Sequence, residues 1–306
     1  MDKIGSAIWS AGPKDLSRKG RRPVKTQKKS FVAQKEQRLR EIIRETLAKA
    51  GGGRVFIGFS GGVDSSLLLW ETVQSLGPER ITAVTATSPT SIPEEEESAR
   101  RFASDLQVRH LVIPTSECDD SEFMSNPWDR CYRCKRIRYA LMKELSDQVP
   151  GSVIFDGTQS DDAPEDRPGM RALVELGISS PLAEAGLCKE DVRALLRKAG
   201  FSDLAEKRAQ PCLATRIPVG QSITLEALEM VRRGESFLKE CGLTTARLRH
   251  HQSLARIVTD SSGLSLILAR DDLRQKILAK LKELGYQHVT LDLEEYGKNE
   301  GRFGTR

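Results

Sequence analysis

Short apolar runs alternate along this chain with longer stretches in which apolar residues recur every three or four positions. From Phe31 to Ala50 the positions Leu39, Ile42, Ile43 and Leu47 share one face of a predicted helix. The run Arg54–Ile57 predicts a strand, and Ile81–Thr87, Val108–Ile113 and Val153–Asp156 predict three more. Pro93 followed by Glu94 to Glu97 marks a helix start, with proline at the first position and acids where the helix dipole favours them. Strands alternating with helices predict an α/β fold on a doubly wound parallel sheet. Ligands of such sheets sit at the carboxyl ends of strands, where Ser60, Thr87 and Asp156-Gly157-Thr158 fall.

Beyond about residue 217 the texture changes. Thr224–Leu238 predicts a helix with Leu225, Leu228, Val231 and Leu238 along one stripe. Three strands are predicted next, Ala246–His251, Leu254–Thr259 and Leu264–Ala269, then a helix over 271–284 and a strand at His288–Leu293. The division expected is a main domain over 31–216 and a smaller C-terminal α+β domain over 217–299, for substrate or oligomer contacts. Ile217-Pro218-Val219-Gly220 is the joint.

Composition narrows the class. A chain of 306 residues, 38% hydrophobic, can bury a core and suggests about two domains. No apolar run approaches the length of a membrane helix, and the first residues lack a signal-peptide pattern. Six cysteines in a chain of this size do not read as a secreted disulfide framework, so a reducing, cytoplasmic setting is expected. The net charge of +5 is unevenly spread. Residues 1–30 hold nine Lys/Arg against two Asp, a local +7, which leaves −2 for the rest. That segment is poor in apolar residues and reads as a disordered, solvated tail. A near-neutral body argues against nucleic acid as a partner.

The most informative stretch is Gly58-Phe59-Ser60-Gly61-Gly62-Val63-Asp64-Ser65-Ser66, placed between a strand and a predicted helix. Free backbone N–H groups at such a turn attract phosphate, the glycines allow close approach, and Ser60, Ser65 and Ser66 add hydroxyls. Asp64 would repel a phosphate unless a divalent cation lay between them, so Mg²⁺ is implied. No lysine follows the glycines, which excludes the Walker loop. The stretch resembles instead the SGGxDS signature of PP-loop ATP pyrophosphatases. The resemblance implies ATP as cosubstrate, with pyrophosphate leaving and AMP passed to a substrate oxygen.

Cys131-Tyr132-Arg133-Cys134 opens a predicted helix beside Arg130 and Lys135. Its thiols are expected to have lowered pKa values and to ligate metal readily. Cys212 lies in Pro211-Cys212-Leu213-Ala214-Thr215-Arg216. Spacing leaves two readings open. The pair is a zinc or redox feature with Cys212 a small core residue, or the three thiolates hold three irons of a [4Fe–4S] cluster and leave the fourth open. Cys118, Cys188 and Cys241 read as packing residues. Arg247 and Arg249 share one face of a strand, an arrangement costly without an anion, and Arg216 lies four residues beyond Cys212. His250 and His251 read as structural.

Taken together, these motifs resemble the LarE family of ATP-dependent sulfur transferases. The likeness runs from about residue 35 to 295 and includes Ser60–Ser66, the Cys131/Cys134 segment, and Asp156-Gly157-Thr158 with Asp161-Asp162. It extends through Arg167-Pro168-Gly169, Gly177–Glu184, Pro211–Arg216 and Arg247-Leu248-Arg249-His250-His251. It implies that ATP adenylates a carboxylate of pyridinium-3,5-dicarboxylate mononucleotide and that sulfur then displaces AMP to leave a thiocarboxylate. The product is a precursor of the nickel-pincer nucleotide of lactate racemase. Three cysteines imply a [4Fe–4S] sulfur carrier on Cys131, Cys134 and Cys212. Ser60, Gly61, Gly62, Asp64, Ser65, Ser66, Thr87 and Gly157 are then the nucleotide site, Asp64 with Asp161 or Asp162 the Mg²⁺ ligands, and Arg216, Arg247 and Arg249 the substrate's anion contacts. The likeness also implies a homo-oligomer, trimer or hexamer, and names no sulfide donor. Two rivals stay open: a PP-loop tRNA thiolase, and sacrificial transfer of the Cys212 sulfur without a cluster. An ammonia-using PP-loop ligase would need a glutaminase segment or an ammonia site.

Overall fold

The computed structural model describes residues 24–162 and 168–296, with side chains from residue 31 onward. Most of the expected tail (residues 1–23) and Arg167 lie outside the described residues. The first helix, α1 (Val24–Ala50), begins before the expected Phe31. Its apolar stripe is as expected, with Leu39, Ile42, Ile43 and Leu47 at most 4% exposed.

The main domain continues through β1 (Val55–Gly58), α2 (Val63–Leu76), β2 (Ile81–Thr87), α3 (Pro93–Asp105) and β3 (Arg109–Pro114). A short α4 (Ser121–Met124) and the long α5 (Arg130–Asp147) lead to β4 (Val153–Phe155). Then come α6 (Gly169–Glu175), α7 (Pro181–Glu184), α8 (Lys189–Lys198) and α9 (Ser202–Glu206). The sheet runs β3-β2-β1-β4, all parallel. Val55 and Ile57 pack into the cluster that holds α1, α2 and α8, while Phe56 between them joins α5 and α6. This period-two alternation puts helices on both faces, so the sheet is doubly wound. The expected α/β class holds, and the carboxyl ends of β1, β2 and β4 lie side by side.

The C-terminal module contains α10 (Leu225–Glu240), β5 (Arg247–His251), β6 (Leu254–Val258), α11 (Ser261–Ala269), α12 (Asp271–Glu283) and β7 (His288–Leu291). β5 and β6 are antiparallel, and β6 pairs in parallel with β7. Two expectations fail here. The run 264–269, expected to be a strand, is helix α11: the Asp260 carboxylate accepts the Gly263 N–H at 3.0 Å and caps it. A short apolar run cannot tell a strand from a helix, and the local cap decides it. Leu225, assigned to the buried stripe of α10, is 56% exposed, because it is the first helical residue after the Thr224 cap.

Gly234 sits mid-helix in α10, where a Cβ would collide with the Leu248 side chain of β5 and lie 3.3 Å from Leu281 of α12. Gly234→Ala gains about 1 kcal/mol of helix propensity but overpacks this junction at a cost of about 1–3 kcal/mol. The expected outcome is a lower urea midpoint with an unchanged slope. A midpoint equal to or above wild type contradicts this packing.

Candidate functional site

The turn after β1 is shaped by its glycines. Gly61 adopts φ +69°, and a Cβ there would press at 3.1 Å on Ala99 and the Glu95 carbonyl of α3. Ser60 and Ser65 cross-link the loop: their hydroxyls are 3.2 Å apart, and the Gly62 N–H donates to Ser60 Oγ at 3.3 Å. No side chain caps α2 at Gly62, so the first N–H groups of the helix stay directed at ligand space. Ser66 Oγ is buried with no hydrogen-bond partner. Gly157, at the end of β4, lies against this helix start, where a Cβ would be 3.1 Å from Ser65 N. Ser60, Gly61, Gly62, Ser65, Ser66 and Gly157 are therefore brought together. Thr87 stands at the end of β2, with its carbonyl already accepting Thr115 N–H at 2.9 Å.

The acids of the site are arranged differently from expectation. Both oxygens of Asp64 accept from the ammonium of Lys189, at 2.6 and 2.8 Å, and the Lys189 backbone N–H donates to Asp161 at 2.8 Å. Asp162 turns back to accept from Gln159 N–H at 3.2 Å. Among the described residues no three His, Cys, Asp or Glu side chains gather as a single-ion cage. Mg²⁺ does not require one, since it commonly takes one or two carboxylates together with phosphate oxygens and water. Asp64 beside the free N–H groups fits that use, with Asp161 linked to it through Lys189 more directly than Asp162. The sequence offered one signal for Lys189: a cation at the first position of α8, against the helix dipole.

Two of the three candidate cysteines meet in one apolar cluster. Cys134 and Cys212 both pack against a core containing Phe123, Leu213 and Ala214, and Cys118 joins them there. Cys131, on the first turn of α5, is exposed. The expected low thiol pKa is not found at Cys134: burial pushes it up to about 12, with Arg138 opposing. The neighbouring cations are engaged elsewhere, which is why they do not prevail. Arg133 pairs with Glu122, Lys135 reaches Asp156 at 3.2 Å, and Arg130 donates to Asn126 Oδ1 at 2.7 Å. Arg138 is held by the fully buried Glu117, and its charge favours the Cys134 thiolate against the burial that opposes it. The other two cysteines differ: Cys188 caps α8 through Asp191, and Cys241 packs on the module core. Cys134 and Cys212 supply soft thiols near Arg138, while Cys131 stands exposed one turn before Cys134 on α5, so the three match an iron–sulfur cluster in donor type only.

The three arginines surround the Cys212 turn. Arg216 is 1% exposed: its Nε and Nη2 engage Glu235 at 2.9 and 3.0 Å, and Nη1 donates to the Pro211 and Cys212 carbonyls. Its fork is thus committed to holding the turn, and the expectation of a substrate contact at Arg216 gives way to an anchoring position. Arg247 reaches Gln210 Oε1 at 3.3 Å on one side of Cys212, and Arg249 reaches the Thr215 carbonyl at 2.7 Å on the other. Arg247 also lines a cavity of about 720 Å³, whose wall mixes the acids Glu94, Glu235 and Glu240 with Arg232, Arg233, Lys239 and Lys280. The last four were missed by sequence reasoning, since helix-surface Arg and Lys carry no local signal. His250 donates to or accepts from Tyr286 at 3.0 Å and is buried, as a structural role requires.

The sequence model of the NAD synthase family matches residues 35–144. The chain is 31% identical to pyridinium-3,5-bisthiocarboxylic acid mononucleotide synthase of Lactiplantibacillus plantarum, over 78% of this chain and 86% of that protein. It is 35% identical to slr1717, an uncharacterized protein of Synechocystis sp., over 79% of this chain and 90% of the relative. An NH(3)-dependent NAD(+) synthetase of Fusobacterium nucleatum is 23% identical over 81% of this chain and 90% of its own length.

Asp156 ties the cysteine helix to the nucleotide turn. Its carboxylate accepts from Tyr139 (2.5 Å) and Lys135 of α5 and from Thr158 N–H at 2.8 Å. Burial alone would raise its pKa, but the Lys135 ammonium and the hydrogen bonds from Thr158 and Tyr139 outweigh that and hold it below the usual range. A depressed carboxyl contributes stability that is present above its unfolded pKa of about 4 and lost as pH falls through the folded value. Asp156→Asn is therefore expected to cost about 3 kcal/mol at pH 7, with the gap from wild type closing as pH drops below about 4. Urea midpoints showing the same gap at both pH values would contradict the assignment.

Proposed function

Since this chain belongs to the LarE family of PP-loop ATP-dependent sulfurtransferases, we propose that it converts pyridinium-3,5-dicarboxylate mononucleotide to its thiocarboxylate. The observation that carries the reading is the approach of the Cys212 turn to two arginines, Arg247 and Arg249, that reach its two sides. The nucleotide site is Ser60, Gly61, Gly62, Asp64, Ser65 and Ser66 with Gly157, and Thr87 lines it. The substrate's phosphate docks against Arg247 and Arg249.

In this scheme a substrate carboxylate oxygen attacks the α-phosphorus of ATP, and the bond to the β-phosphate oxygen breaks. The N–H groups of the PP-loop and the Lys189 ammonium offset the charge of departing pyrophosphate, and Asp64 would hold a Mg²⁺ that shares this task when bound. A sulfur nucleophile then attacks the acyl carbon, AMP leaves, and a thiocarboxylate remains; a second round treats the other carboxylate. When bound, a [4Fe–4S] cluster on Cys131, Cys134 and Cys212 supplies an open coordination position for sulfide. Arg138, paired with Glu117, would add positive charge near Cys134 and Cys212. The 217–299 module provides the anion contacts and the oligomer surface. The product serves a nickel-pincer nucleotide, as the family implies.

Two variants separate the roles. Cys212→Ala is expected to abolish sulfur transfer while ATP–pyrophosphate exchange persists; intact transfer would remove Cys212 from the chemistry. Arg249→Ala is expected to raise the substrate KM about tenfold, about 1.4 kcal/mol, with the KM for ATP unchanged. An unaltered substrate KM excludes Arg249 from the anion site. Iron and acid-labile sulfide in anaerobically prepared protein decide the sulfur source. About four irons per chain, lost in Cys131→Ala, support a reusable carrier. Absence of iron, with conversion of Cys212 to dehydroalanine on turnover, supports sacrifice instead.

A further inference from the structure

Between α9 and the Cys212 turn the chain runs as an extended strap, and almost every residue of it is fastened to a different part of the molecule. Lys207 Nζ donates to the carbonyl of Gly61 in the PP-loop at 3.2 Å and pairs with Glu95 of α3 at 2.9 Å. Its backbone carbonyl accepts from Arg193 of α8 at 3.1 Å. Arg208 faces Asp260, the cap of α11, at 3.9 Å. Gln210 accepts from Arg247, the Pro211 and Cys212 carbonyls accept from Arg216, and the Leu213 N–H donates to the Thr90 carbonyl at 2.8 Å. One segment thus touches the nucleotide loop at its start and carries Cys212 near its end.

We propose that Lys207 couples occupancy of the PP-loop to the position of Cys212. The proposal rests on the PP-loop reading given above. Lys207 is a positioning residue in it, acting on the sulfur site through the strap.

The chemistry follows from the partners. The PP-loop has no lysine of its own, and two ammonium groups reach it from elsewhere, Lys189 on Asp64 and Lys207 on Gly61. Both are tied to α8, one as its first residue and the other through Arg193. Glu95 already gives the Lys207 ammonium one charged acceptor and the Gly61 carbonyl is a neutral one, so a phosphate chain seated on the adjacent N–H groups offers a second anion in place of the loop carbonyl. The Lys207 side chain is 22% exposed, so it can turn a short way without losing its burial against the loop. Capture of the ammonium fixes the root of the strap. Its remaining fastenings include single hydrogen bonds and one distant ion pair, which tighten once the root is held. Adenylation chemistry and the sulfur-bearing residue are then ordered by the same ligand.

Hydrogen–deuterium exchange of the full chain, with and without saturating Mg²⁺ and α,β-methylene ATP, reads this directly. In wild type the amides of 208–213 are expected to exchange about fivefold more slowly with nucleotide bound. Lys207→Arg is expected to keep most of that response. Lys207→Ala and Lys207→Met, the latter retaining the aliphatic stem, are expected to lose it, each compared at its own saturating nucleotide concentration. A purely structural lysine would speed exchange in these variants equally with and without nucleotide and leave the fivefold ratio intact, which overturns the proposal. Nucleotide binding to wild type without any response at 208–213 overturns it too and spares the PP-loop reading. Failure of wild type to bind nucleotide removes that reading and the coupling with it.

Discussion

A guanidinium with 1% of its surface exposed is tolerable only when its donors are answered, and those of Arg216 are answered from two parts of the molecule. Glu235 of α10 takes Nε and Nη2, and the carbonyls of Pro211 and Cys212 take Nη1. Glu235 also accepts the Leu248 N–H of β5 at 3.0 Å. The Cys212 turn therefore cannot leave the C-terminal module without stranding a buried charge, which costs about 3–5 kcal/mol. This constraint fixes Cys212 beside the Arg247/Arg249 strand.

The remaining thiols are anchored from the opposite side. Helix α5 carries Cys131 and Cys134, and four residues past Cys134 its Arg138 enters the buried network of Glu117, Ser88 and Thr90. Thr90 in turn accepts the Leu213 N–H, so the helix and the Cys212 turn meet through one hydrogen-bonded junction. The same helix reaches the nucleotide turn through Lys135, Tyr139 and Asp156. Placing a single helix between the nucleotide and sulfur centres accounts for a buried Arg–Glu pair that would otherwise be a doubtful source of stability.

Much of this was legible in the sequence. The glycine and serine spacing of 58–66 specified a phosphate-binding turn because only a strand–turn–helix can use it, and the two-residue period placed Arg247 and Arg249 on one face. The failures share a cause, which is that tertiary contacts override local chemistry. The thiols of α5 sit at a helix start among cations, yet burial governs Cys134 because Arg130, Arg133 and Lys135 pair with other partners. Arg216 has a substrate-like position four residues from Cys212, but its partner Glu235 lies on another element and leaves no trace in spacing. Lys189 and Lys207 stand far in sequence from the loop they reach; a cation at a helix start is the one sign of Lys189, and Lys207 resembles any exposed lysine. The run 264–269 was lost to its cap at Asp260.

Capture of the activated carboxylate by sulfur, as proposed, separates this chain from the NH(3)-dependent NAD(+) synthetase to which it is 23% identical. The most direct test is anaerobic incubation of the full chain with Mg²⁺, ATP, sulfide and pyridinium-3,5-dicarboxylate mononucleotide, with products read by mass spectrometry. The account predicts a thiocarboxylate product, with one AMP and one pyrophosphate formed for each sulfur inserted. An amide formed from added ammonium with the same release of AMP and pyrophosphate, and no sulfur incorporation, would contradict it.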